Sequence, residues 1–267
     1  MLTVRKRVVT KNAGFLQTGD LVLLVDSKDR RYLLTLEPEK EFHSHAGYIP
    51  HNELIGGEDG IHIKSTGGME YLAIRPTMAD VVLKMPRSAQ IIYPKDLGHI
   101  LVTADVGSHH HVLESGVGSG ALSIALLRCG AKVTGYELRE DFAQRAIKNV
   151  TNFYGEEIGS RYSVNLCDAY EGFNDSNFDR IILDLPEPWK VVDHIPDTLK
   201  SGGVFVAYTP SITQVAKLRQ RLETAHFVMM ETTEILRRTW HVEGQAVRPD
   251  HRMVAHTGFI TSARFIG

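Results

Sequence analysis

His111-Val112-Leu113 runs straight into Glu114-Ser115-Gly116-Val117-Gly118-Ser119-Gly120, and Ala121–Leu127 then continues at helical spacing. A strand that breaks into alternating glycines and re-forms as a helix reads as the ligand-binding turn of a doubly wound α/β fold. Glycine lets the backbone come close to a ligand, and the helix N-terminus turns its N–H groups toward it. The turn alone is not specific. With Ala121 it also satisfies the looser dinucleotide fingerprint G-x-G-x-x-[G/A], and glycine turns occur without any ligand.

Working outward, Ala131–Glu137, Tyr162–Leu166, Phe178–Leu183 and Val204–Tyr208 read as strands, with a helix over Asp141–Phe153. Strands alternating with helices predict a parallel sheet wrapped by helices. Near the C-terminus, Met229–Leu236 and Gly258–Phe265 are β-prone and predict an antiparallel pair closing that sheet. Upstream, Leu21–Val25, Tyr32–Leu36 and Tyr71–Ile74 are short apolar runs between turn-formers, the pattern of a small antiparallel barrel or sandwich. From Pro76 to Arg87 the period becomes helical, through Met78, Val81, Val82 and Met85, and Ser88–Asp96 reads as a loop. The expected organisation is an N-terminal β-rich domain over 1–75 and a Rossmann-like α/β domain over 76–267.

The chain has 267 residues, 43% hydrophobic and 23% charged. Those values exclude a disordered chain, a collagen-like fibre and a coiled coil. No apolar run approaches the roughly 18 residues of a membrane span. The opening MLTVRKRVVTKNAGF is basic with no long apolar stretch behind it, so no secretory signal is expected. Cys129 and Cys167 are too few for a disulfide framework, which predicts a cytoplasmic protein. Thirty Lys and Arg against 32 Asp and Glu give a net charge of −2. An indiscriminate nucleic-acid coat protein would be basic, so any RNA partner must be held by local patches or by a surface built from several subunits. His43, His45, His51 and the run His109–His111 lack Cys, Asp or Glu companions at ligand spacing, so no metal is expected.

Carboxylates at strand ends sharpen the glycine loop. Glu137 closes the second strand, placed for the hydroxyls of a ribose, and Asp168 follows the third, where it can accept from an adenine amine. The loop residues Glu114, Gly116, Val117, Gly118, Ser119 and Gly120 together with Glu137 and Asp168 match the S-adenosylmethionine cradle of class I methyltransferases. The fourth strand runs into Asp184-Leu185-Pro186-Glu187-Pro188-Trp189. Asp184 then lies beside the cofactor where a methyl acceptor must approach. Amino-methyltransferases acting on adenine often carry [N/D]-P-P-[F/Y/W] here, and this chain has a variant with the prolines split.

The sequence resembles the tRNA (adenine-58-N1)-methyltransferases of the single-gene bacterial and archaeal type, over nearly its whole length. The resemblance rests on Gly19-Asp20-x-Val22-x-Leu24 and Glu41-Phe42-His43-x-His45-x-Gly47-Tyr48-Ile49-Pro50-His51 near the start. It continues through Met85-Pro86-Arg87-x-x-Gln90-x-Ile92-Tyr93-Pro94-Lys95-Asp96 and Asp184-Leu185-x-x-Pro188-Trp189-Lys190-Val191. Tyr208-x-Pro210-x-Ile212-Thr213-Gln214-Val215, Arg248-Pro249-x-His251 and His256-Thr257-Gly258-Phe259 complete it. The chain departs from the family at Gly107-Ser108-His109-His110-His111, where relatives carry a proline-glycine turn, and at Ser115, where they carry Ala or Thr.

The resemblance implies methylation of N1 of adenosine 58 in the tRNA T-loop, with S-adenosylmethionine as cofactor, tRNA as partner and a homotetramer as the assembly. It implies Asp184, Tyr93 and Tyr208 as catalytic residues, Asp184 also touching the cofactor, and Gln90, Arg87 and Lys95 as contacts to substrate. Methylation of a neighbouring adenosine such as position 57, or of another RNA, stays open. An NAD-linked oxidoreductase would share the glycine loop but leaves Asp184–Trp189 unexplained. A non-catalytic RNA-binding subunit would be expected to lose the glycine loop or the acid, and this chain keeps both.

Overall fold

The computed structural model describes residues 14–87 and 90–267; the reading of the first thirteen residues lies outside them. The chain divides into two compact units between Met85 and Pro86.

The first unit is built on β1 (Leu21–Asp26), β2 (Arg31–Thr35), β5 (Ile61–Lys64) and β6 (Glu70–Ile74), an antiparallel sheet in the order β2-β1-β6-β5. The hairpin β3 (Glu41–Ser44) and β4 (Gly47–Pro50) adds a second layer. Val22, Leu24, Ile49, Tyr71 and Ala73 share one buried core across both layers. Tyr32, Phe42 and Tyr71 meet there with centroids 5.1–6.4 Å apart, Tyr71 edge-on to both other rings. The antiparallel strands are those expected of a small barrel or sandwich.

Helix α1 (Met78–Lys84) belongs to this unit, so the boundary falls later than the expected 75/76. Thr77 and Asp80 form a reciprocal capping box that starts the helix. Asp80 also accepts from Arg31 at 3.1 Å, tying α1 to β2.

The second unit centres on a seven-stranded sheet. Its strands are β7 (His111–Ser115), β8 (Lys132–Glu137), β9 (Tyr162–Leu166), β10 (Phe178–Leu183), β11 (Leu199–Thr209), β12 (Phe227–Glu234) and β15 (Phe259–Phe265). The order is β12-β15-β11-β10-β7-β8-β9, with β7 to β11 parallel and β15 antiparallel to both its neighbours. Helices α2 (Pro94–Thr103), α3 (Ala121–Arg128), α4 (Glu140–Tyr154) and α5 (Ile212–Glu223) accompany it. A separate two-stranded ribbon, β13 (Trp240–Glu243) and β14 (Ala246–Pro249), rises between β12 and β15.

Two features depart from the sequence reading. Pro94–Asp96, expected in a loop, opens α2; proline at the first helical position gives up an N–H that has no intrahelical partner anyway. The ribbon β13–β14 and the hairpin β3–β4 were not foreseen.

The chain winds from β7 outward through β8 and β9, then crosses to β10 and β11 on the other side. That reversal makes the carboxyl ends of β7 and β10 a topological switch point, where adjacent connections part and leave a crevice. Leu183 pairs with Ser115 at this edge, so Asp184 and Gly116 emerge side by side. The His109–His111 run lies at the opposite, amino-terminal end of β7. There the His111 N–H donates to Asp179 at 2.8 Å and the Gly107 N–H to His110 Nδ1 at 3.1 Å.

Candidate active site

Gly116, Gly118 and Gly120 all adopt left-handed backbone angles, with φ of 82°, 57° and 83°. Gly116 is further confined by its neighbour across the sheet: a Cβ there would collide with the Asp184 carbonyl. No other residue lets β7 and β10 close so tightly at this edge. The loop is braced from three sides. Gly116 N–H donates to Tyr136 O at 3.0 Å, Gly118 N–H to Glu137 Oε2 at 3.0 Å, and Asn149 donates its amide to Ser119 O at 2.9 Å. Glu137, expected to face a ribose, thus holds the loop, and its other oxygen accepts from Arg139 N–H at 3.0 Å. Two bonds leave half of a carboxylate's acceptor capacity for a ligand.

Gln90, Ile92, Gly116, Gly118, Glu114 and Asp184 line a small cleft above this loop. Glu114 is fully buried, held by Ser123 Oγ at 2.6 Å, while its Oε1 has no partner. Burial pushes its carboxyl up to about 8, against the Ser123 bond and helped by the charge of Asp184. Asp184 is raised to about 7 by burial and then by Glu137. Asp184 and Glu137 repel one another across this cleft, and a positively charged ligand would relieve that repulsion.

Among the described residues the buried side-chain polar atoms without partners are Glu114 Oε1, Arg145 Nε, Tyr208 Oη, Thr209 Oγ1 and Gln214 Oε1. All but Arg145 sit on the carboxyl edge of β7 and β11 or at the start of α5. Leaving one such atom unpaired costs about 1–3 kcal/mol, and such costs gathered at one edge mark a site that a ligand completes. A roomier groove of about 360 Å³ on the outer face of α4, along Ile147, Lys148 and Thr151, has no such edge.

The segment after β10 is stiffened by contacts. Gln214 donates to Pro186 O at 2.7 Å, and the Glu187 N–H donates to Tyr170 Oη at 3.1 Å. Trp189, in the place of a base-holding aromatic, packs on the main core with Lys217 over its ring at 5.1 Å. Asp168 caps the turn Ala169–Glu171 by accepting from Tyr170 N–H at 2.9 Å, and it does not line the cleft around Glu114 and Asp184.

Tyr93 precedes α2 half-buried, and Gln90 and Arg87 are exposed. Lys95, expected to contact substrate, is committed elsewhere. Its ammonium donates to Asp96 Oδ1 at 2.7 Å, Ile235 O at 2.6 Å and Thr257 Oγ1 at 2.6 Å, using all three protons. Thr257 in turn donates to Asp96 Oδ2 at 2.7 Å. Tyr208, at the end of β11, is buried and raised to about 12 chiefly by that burial. The partners of Lys95 lie 140 and 162 residues away in sequence, so no local pattern could have found them. Among the described residues no three His, Cys, Asp or Glu side chains converge as a metal site would require; His51 is buried beside the Glu37 N–H, which donates to it at 3.1 Å.

Comparison with known proteins agrees over most of the chain. Residues 70–257 match the family described as "tRNA methyltransferase complex GCD14 subunit", and residues 14–63 match "TrmI-like N-terminal". A Methanocaldococcus jannaschii protein named tRNA (adenine(57)-N(1)/adenine(58)-N(1))-methyltransferase TrmI is 33% identical, covering 91% of this chain and 94% of that one. A Thermus thermophilus tRNA (adenine(58)-N(1))-methyltransferase TrmI is 35% identical, covering 91% and 96%. Among solved structures, the tRNA (m1A58) methyltransferase TrmI of Aquifex aeolicus superposes with a TM-score of 0.81 at 28% identity, covering 95% and 99%. A Thermotoga maritima protein described as a SAM-dependent O-methyltransferase gives 0.89 at 34% identity, covering 97% of each chain.

Proposed function

The chain belongs to the tRNA methyltransferase family of these GCD14 and TrmI proteins, and from that premise we propose that it transfers a methyl group from S-adenosylmethionine to N1 of adenosine 58 of tRNA. The observation that carries the reading is the pairing, across the switch point, of the glycine loop after β7 with Asp184 after β10. The residues fit the cofactor: unpaired Glu114 Oε1, the glycine cradle and spare acceptor capacity on Glu137 all lie at that edge. When bound there, S-adenosylmethionine supplies an electrophilic methyl group on a cationic sulfonium.

The chain's own groups account for the rest. Glu114, Gly116, Val117, Gly118, Ser119 and Gly120 hold the cofactor with Glu137 at the ribose and Asp168 at the adenine end. Adenine N1 lies on the Watson–Crick edge, so the target base must leave its stack and enter the cleft. Neutral N1 carries a lone pair and needs no base to deprotonate it. Catalysis then rests on placement, worth several kcal/mol, and on Asp184. Its carboxylate accepts from the exocyclic amine and stabilises the positive charge that develops on the ring. Tyr93 and Tyr208 wall the base, and Arg87 and Gln90 meet the RNA. The committed ammonium of Lys95 leaves it a structural role.

The active assembly is a homotetramer in this reading, working in the cytoplasm. The ribbon β13–β14 supports the first point. Trp240, Val242 and Val247 are exposed on one face of it, and a lone two-stranded ribbon is marginal unless something covers it. A second copy of this chain is the proposed cover. Two unpaired cysteines fit a reducing compartment.

Primer extension on methylated tRNA separates the two target positions, because N1-methyladenine blocks pairing and halts the polymerase. A stop at position 58 alone is the expected result. An additional stop at 57 would align the chain with the Methanocaldococcus protein, and a stop at neither would remove the assignment.

A further inference from the structure

We propose that His256-Thr257-Gly258 are positioning residues which fix Tyr208 against the acceptor cleft, so that this triplet sets the rate of methyl transfer without touching cofactor or RNA. Each residue of the triplet holds a different part of the same corner. His256 lies with Nδ1 2.7 Å from Glu234 Oε1 and Nε2 2.8 Å from Pro210 O. Both neighbours are acceptors, and their hydrogen bonds raise the imidazole above its usual range, favouring the form that donates from both nitrogens. It thereby pins the backbone two residues beyond Tyr208. Thr257 closes the buried knot with Lys95 and Asp96 that ties α2, and with it Tyr93, to the same corner. Gly258 lies flat under the phenol: a Cβ there would stand 2.6 Å from Tyr208 Oη and as close to its ring carbons. Any larger residue must displace the ring.

Tyr208 is held by this packing more than by its own hydroxyl, which is buried beside the Thr257 hydroxyl without a hydrogen bond of good geometry. The neighbouring Thr257 hydroxyl is already occupied, donating to Asp96 and accepting from Lys95. A rigidly held phenol whose hydroxyl lacks such a bond is preorganised for a group that arrives with the substrate. The two tyrosines thus share one support, Tyr93 through α2 and Tyr208 through Gly258.

The inference rests on the reading of Tyr208 as a wall of the adenine site, and its test separates the two. Full-length protein carrying 3-fluorotyrosine at position 208 is examined by fluorine NMR as wild type, Thr257→Val, Thr257→Ser and Gly258→Ala. The same variants without the label are measured for S-adenosylmethionine affinity and for kcat and KM on tRNA. The expected result is a shifted or split fluorine resonance in Thr257→Val and Gly258→Ala. Their kcat falls at least tenfold with cofactor affinity within threefold of wild type, and Thr257→Ser recovers both resonance and rate. An unchanged resonance and rate in Thr257→Val and Gly258→Ala would overturn the proposal. So would a Thr257→Ser variant no better than Thr257→Val, because serine keeps the hydroxyl that valine replaces with a methyl group. Should Gly258→Ala fail to fold, the valine and serine pair decides. If wild-type protein does not methylate adenosine 58 at all, the assigned reaction fails, while the fluorine resonance still reports on the clamp.

Discussion

Asp184 carries the chemistry in this account, and its environment says how it behaves. Burial and the nearby Glu137 raise its carboxyl to about 7, so it changes charge near neutral pH. The ionised form accepts from the exocyclic amine and favours a cationic ring; the protonated form does neither. kcat/KM is therefore expected to rise with pH through about 7, and Asp184→Asn to lose that limb of the profile. Asp184→Ala is expected to bind S-adenosylmethionine while losing about 10²–10³ in kcat, the scale of removing one preorganised electrostatic group. A variant with near-normal turnover would remove Asp184 from the mechanism. Glu114 answers a different question, since a carboxyl raised from 4.5 to about 8 stays protonated in the fold when it would ionise in the unfolded chain. The folded state then binds more protons between those values, and stability drops as pH climbs through them, by up to about 1.4 kcal/mol per pH unit. Cofactor-free protein is expected to melt at a lower temperature at pH 8 than at pH 5. Glu114→Gln, neutral at both, should flatten that slope; an equally steep slope in the variant would assign it to other groups.

At the scale of elements, the glycine turn between β7 and α3 was legible because everything it needs is local. The alternating glycines, the apolar strand before them and the helical period after them lie within seventeen residues, His111–Leu127. The positions of Glu137 and Asp184 were readable for the same reason, each at the end of an apolar strand. Their contacts within the fold were not. That Glu137 braces the Gly118 N–H follows from the pairing of β7 with β8, and the close approach of Asp184 to Gly116 from that of β10 with β7. The first turn of α2, Pro94–Asp96, reads as the end of a loop because Pro94 punctuates it, although burial of Asp96, Leu97 and Ile100 gives the helix an inward face. The ribbon β13–β14 escaped notice because its four-residue strands stand exposed and no buried face imposes a pattern on them. Lys95 shows the limit most clearly. A basic residue in a family signature suggests an RNA contact, and only long-range structure reveals an ammonium with every proton committed.

On the scale of the whole molecule, a net charge of −2 is a poor match for tRNA unless charge is distributed unevenly. The stretch 235–256 supplies that unevenness, with Arg237, Arg238, Arg248 and Arg252 against Glu243 and Asp250. These arginines are all exposed. His241 pairs with Arg248 on one face of the ribbon, while Trp240, Val242 and Val247 occupy the other. The first face would suit phosphate, and the second is the one proposed above to meet another copy of the chain. Replacing Trp240 and Val242 by serine is expected to lower the mass seen in sedimentation, with little change in the melting of the subunit. An unaltered sedimentation profile would remove the ribbon from the interface. The central claim, that this edge of the sheet methylates one adenine of tRNA, is tested most directly by transfer of labelled methyl from S-adenosylmethionine to unmodified tRNA transcripts. One transcript keeps adenosine 58 and the other carries a different base there. The account predicts label as 1-methyladenosine in the first and none in the second; equal label in both, or none in either while the cofactor still binds, would contradict it.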